Sequence, residues 1–149
     1  MSAAPSSISR IANPYEPLQE AVVQALKADA DIAAKARVYD YVPEDDQGPY
    51  VVFSSAWLAE KDAHNQPIDR VWFQIDVWSQ YRGYREVNDL GADVEDVLRH
   101  ATLEVAGFNF LGVHVLREQS HLLREPSNNW RRLAITFHCP YVRMRRTEP

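Results

Sequence analysis

The chain has 149 residues, a formal net charge of −5, 46% hydrophobic and 25% charged side chains. That is enough for one domain with a real core, and too apolar for disorder throughout. One cysteine, Cys139, excludes an internal disulfide and suits a reducing compartment, and no apolar run approaches the roughly 20 residues that span a bilayer.

The charge is unevenly spread. Residues 117–149 hold seven arginines and three acids, against nine basic and eighteen acidic side chains in the rest. Opposite charge on different segments allows a chain to pair with copies of itself, although separate solvated faces give the same pattern.

Residues 1–14 contain Ser and Ala without an apolar signal-peptide stretch and read as a flexible N-terminal arm. Pro14 and Pro17 then mark a helix start, and Leu18, Ala21, Val22, Ala25 and Leu26 recur at helical spacing. The first helix is expected over about residues 16–30, with a further short turn near Ile32. Val38 to Val42 reads as a strand ended by Pro43, and Glu44, Asp45 and Asp46 fall in a polar turn. Pro49 opens a second strand through Phe53. Residues 59–69 are a long polar hairpin connection.

Arg70 to Ser79 is the clearest strand: Val71, Phe73, Ile75 and Val77 take one face, and Trp72, Gln74, Asp76 and Trp78 the other. Gly83 precedes a second helix to about residue 101, with Val87, Leu90, Val94, Val97 and Leu98 on its apolar stripe. Its acids crowd the early turns and Arg99 and His100 sit at its end, as the helix dipole favours. A short strand at Val113–Leu116, a polar loop over 119–129 and a last strand from Arg132 to Val142 complete the domain. The expected fold is α+β: a mainly antiparallel sheet of four to five strands with two helices on one face, spanning residues 15–143, and a basic tail at 144–149. The other sheet face, with Trp72 and Trp78, then needs a cover.

Sites for chemistry do not emerge. The five histidines lack metal-ligand spacing, Gly107 and Gly112 frame no phosphate cradle, and no nucleophile elbow is present. His138 and Cys139 are strand neighbours and so face opposite ways. The expectation is no catalytic residue, no metal and no cofactor.

The order Leu18-Gln19-Glu20-Ala21, Arg37-Val38-Tyr39-Asp40, Val42-Pro43, Pro49-Tyr50-Val51-Val52, then Phe73 to Ser79, a Gly83-led helix and Leu133-Ala134-Ile135-Thr136-Phe137 resembles the tail-completion and tail-terminator proteins of long-tailed bacteriophages. The resemblance covers about residues 15–145. It implies a non-enzymatic virion protein at the head-tail junction, assembled in the host cytoplasm. Such proteins often form a hexameric ring that stops tail-tube polymerisation and docks to the head connector.

The expected partners are other copies of the chain, the tail tube protein and the head-tail connector protein, with non-specific contact to DNA in the lumen and no membrane. Candidate interface residues are Trp57, Trp72, Trp78 and Trp130, because Trp is enriched at interface hot spots. Arg124, Arg143, Arg145 and Arg146 are candidates to meet acids of a neighbour such as Glu44, Asp45 and Asp46. A small-molecule-binding or accessory module of the same fold, and a DNA-contacting virion protein, are the competing readings.

Overall fold

The computed structural model describes residues 14–58, 68–105, 107–124 and 130–143. The expected arm at 1–14, apart from Pro14, and the basic tail with Arg145 and Arg146 lie outside the described residues, as do the connection tips at 59–67 and 125–129.

Helix α1 (Tyr15–Lys27) buries Leu18, Val22, Val23 and Leu26, the stripe that its spacing dictates. Pro17 sits in its first turn, where a missing N–H costs nothing. A second helix, α2 (Ala30–Lys35), buries Ile32 and is capped by the Asp29 carboxylate, which accepts from the Ile32 N–H at 3.0 Å. Helix α3 (Arg85–His100) buries Val87, Leu90, Gly91, Val94 and Leu98. Gly91 lets it lie close on the sheet, since a Cβ there would stand 2.4 Å from Leu133 Cδ2. Among the described residues there are thus three helices: the short turn expected near Ile32 is a capped helix of its own.

The strands are β1 (Arg37–Tyr39), β2 (Tyr50–Leu58), β3 (Asp69–Ser79), β4 (Glu104–Val105), β5 (Phe108–Phe110), β6 (His114–Arg124) and β7 (Arg131–Arg143). They form one seven-stranded sheet of order β1-β2-β3-β7-β5-β4, with β6 also paired to β7. Only β1–β2 is parallel among these pairings. A parallel neighbour usually needs a long crossover, but β1 has three residues, so the loop before β2 needs to return only one short strand length.

The strand count exceeds the expected four to five for a local reason. β5 and β6 run in line along one edge of β7 and are separated around Gly112, whose φ is +110°. The segment 119–124, expected as loop, belongs to β6. A register shift between Leu116 and His121 accommodates it, closed by Ser120 Oγ, which accepts from Thr136 N–H at 3.2 Å, and by Thr136 Oγ1, which donates to Gln119 O at 2.9 Å. The first strand also stops earlier than expected: the chain leaves the sheet after Tyr39, and Tyr41 stands 79% exposed.

The core lies between the helices and one sheet face. Val71, Phe73, Ile75 and Val77 are fully buried there, and Phe73 stacks between Phe53 and Phe137 at ring centroid distances of 5.5 and 5.1 Å. Phe108, Phe110 and Tyr141 extend this core at one end of the sheet.

Candidate assembly face

The period of two along each strand and the observed registers build the opposite face as four cross-strand rows. At one end Trp57, Trp72, His138 and His114 lie side by side on β2, β3, β7 and β6. Next come Ser55, Gln74, Thr136 and Leu116, then Val52, Asp76, Ala134 and His121. The last row is Tyr50, Trp78, Arg132 and Leu123, with Arg37 of β1 beside Tyr50. The end rows are about 20 Å apart, given roughly 3.4 Å per strand residue.

Each end row is an aromatic cluster. Trp57 and Trp72 meet edge to face at 5.9 Å, and Trp72 meets His138 at 6.3 Å. At the other end Trp130, just before β7, packs on Tyr50 at 5.5 Å and on Trp78 at 6.0 Å, and Arg132 lies over the Trp78 ring at 5.2 Å. All four tryptophans are only half-buried. The structure thus brings Trp57, Trp72, Trp78 and Trp130 to one face, in two pairs.

Between the clusters the face is polar. Asp76 is 4% exposed, accepts from Gln74 Nε2 at 2.8 Å and lies 3.7 Å from Arg132. Burial raises its carboxyl above the ordinary range, which Gln74 and Arg132 only partly offset. Burial lowers His138, with Arg70 and His114 adding positive charge beside it. Trp72 Nε1 and Arg132 Nε are buried without a hydrogen-bond partner among the described residues.

The acidic turn divides. Glu44 and Asp45 are exposed, whereas the Asp46 side chain is 4% exposed and held inside the chain. It accepts from Tyr39 Oη and from the Gly48 N–H, the latter at 2.7 Å, and lies 3.6 Å from Arg37. Those contacts, the Tyr39 hydrogen bond foremost, lower its carboxyl below the ordinary range. Gly48, at φ +76°, lies against Trp130. The loop therefore braces the cluster of Tyr50, Trp78 and Trp130, and Asp46 is engaged within its own chain.

The candidate arginines are divided too. In the strand register Arg124 lies opposite Arg131 at the start of β7, while Arg143 lies opposite Phe108 at its end. Antiparallel pairing thus puts them at opposite ends of the sheet. Sequence reading missed Tyr50 and His138 as partners of the tryptophans. The alternation already placed His138 outward with Arg132, but its neighbour Trp72 is set by register.

Cys139 faces the core, and burial pushes its thiol up to about 12. Among the described residues no three His, Cys, Asp or Glu side chains come together as a metal site. One cleft of about 360 Å³ lies among Lys35, Pro49, Tyr81, Arg85, Glu86, Asp89 and Leu90. Its lining is mostly charged, unlike the apolar pockets that hold small molecules.

A small α+β protein that keeps two aromatic clusters half-exposed outside its core has the build of a structural protein. The chain matches the family described as Tail completion protein gp17 over residues 20–141. It is also similar to a chain of the virion of a native gene transfer agent particle, at 28% identity and a TM-score of 0.74, covering 84% of this chain and 94% of that one. No curated protein matches. The chain belongs to the tail completion protein gp17 family and is a structural component of the virion tail.

Proposed function

We propose that this protein is the subunit of a ring that caps the head-proximal end of the tail tube, stops its polymerisation and docks it to the head connector. It acts through residues 15–143 as one domain and without catalysis. The observation that carries this reading is the placement of all four tryptophans on the sheet face opposite the core. A half-buried aromatic face of this kind is the composition of a protein interface centre.

Two connections leave the sheet at opposite ends. The β2–β3 connection leaves one end and the β6–β7 connection the other, as the registers Leu58 with Val71 and Arg124 with Arg131 require. One end would then face the tube and the other the connector, with Arg124 and Arg143 divided between them. The resemblance to terminator proteins suggests six copies.

Light scattering and negative-stain imaging of the purified protein, alone and with tail tubes, test this. Rings, free or on tube ends, are expected. A monomer that leaves tube growth unchanged would end the proposal.

A further inference from the structure

The ring reading does not say what lies against the aromatic face; the charges of the two layers do. The three helices carry eight carboxylates against four lysines and arginines. Several of the α3 acids are engaged within the chain: Glu86 accepts from Ser79 Oγ, Asp93 pairs with Lys35 and Glu95 with Arg117. Asp89 and Asp96 stand in solvent, their side chains 67% and 75% exposed, and pair with Arg85 and His100 of their own helix.

The sheet face is the reverse. Its carboxylate Asp76 and the adjoining Asp46 are sunk, while Arg37 and Arg70 are exposed. Two copies meeting through the same sheet face would set arginine against arginine. Two meeting through the outer side of α3 would set Asp89 and Asp96 beside the same carboxylates, with only the helix's own Arg85 and Arg99 to offset them. Like charges brought together in an interface cost binding, and opposite charges select the partner.

The geometry points to a heterologous contact: the helix-free sheet face of one copy packs on the outer side of α3 of a second copy. Arg37 and Arg70 of the first face Asp89 and Asp96 of the second, and the tryptophan clusters are buried between them. This deepens the ring reading and rests on it, since a head-to-tail contact repeated by rotation is what closes a ring.

Charge exchange tests it. R37Q/R70E makes the sheet face acidic, and D89K/D96K makes α3 basic. All four positions are exposed, but R37Q gives up the Arg37–Asp46 contact, so a small drop in that variant's unfolding midpoint is expected; both variants are first shown to be folded at the assay temperature. Each variant alone should associate roughly tenfold or more weakly than wild type. Mixed in equal amounts they should assemble again as alternating rings, and the quadruple variant should assemble by itself. Native mass spectrometry and light scattering, with and without tail tubes, read the outcome.

If wild type oligomerises and the variants assemble equally well, the face-to-α3 contact is wrong while the ring stands. The contact is equally wrong if both variants are weakened but neither the mixture nor the quadruple variant recovers. If wild type forms no ring under either condition, both readings fail.

Discussion

The two faces of one sheet use the same strands for opposite purposes. On β3, Val71, Phe73, Ile75 and Val77 are fully buried under the helices, whereas Trp72 and Trp78, one residue away from them, stay half-exposed beside Gln74 and Asp76. From Val71 to Val77 the covered face of β3 is aliphatic side chains and a stacked phenyl ring. The other holds larger rings with polar edges, which pack among themselves and stay half-exposed, the surface we propose for contact. The strand alternation separates fold from contact, so the two can be altered independently.

The largest effect should come from the covered face. Phe73→Ala removes a ring stacked between Phe53 and Phe137 and should cost about 3–5 kcal/mol in denaturant unfolding. A loss near 1 kcal/mol would mean that this face is not the core. Gly48→Ala tests the brace of the other face: at φ +76° and with a Cβ placed 2.9 Å from the Trp130 ring, it should cost about 1–3 kcal/mol. Trp130 fluorescence should change with it.

Trp57→Ala inverts the ratio. Trp57 is half-buried in a pair with Trp72, so stability should fall by about 1 kcal/mol while association drops sharply. A large fall in stability with intact assembly would place Trp57 with the core instead.

Two carboxylates sharpen the comparison through pH. Asp46 is lowered by Tyr39, Gly48 and Arg37, so its contribution is present above the ordinary carboxylate range and disappears as pH falls through its folded value. Asp76 is raised by burial, so its contribution is present in acid and is lost as pH rises through its folded value. Asp46→Asn should therefore destabilise at pH 7 and progressively less in acid. Asp76→Asn should be neutral or stabilising at pH 7, with that advantage shrinking in acid. Urea titrations from pH 3 to pH 8 would separate them, and parallel curves would contradict the assignment.

The smallest expected signal is at Cys139. With its thiol buried and raised to about 12, it should resist a thiol reagent in the native protein and react on unfolding. Rapid native labelling would show that the covered face opens.

Much of the fold was legible because its signals are local. A period of two marks β3, and a 3.6 period marks α1 and α3. These give the α+β class and the identity of the buried residues without any partner being known. Alternation also put Trp72 and Trp78 on a second face.

What depends on distant pairing was not legible. A short strand such as β5, or a polar segment such as 119–124, has no period to announce it. It becomes strand only because β7 offers an edge and Thr136 closes the bulge. Register alone joined Trp57 to Trp72 and Tyr50 to Trp78. Antiparallel pairing sent Arg124 and Arg143 to opposite ends, and the return of the loop toward β1 drew Asp46 into the chain's own network. The sequence by itself determined which residues are apolar on which side of each element. Only the tertiary structure decided which elements lie side by side, because that choice rests on hydrogen bonds and packing between residues far apart in the chain.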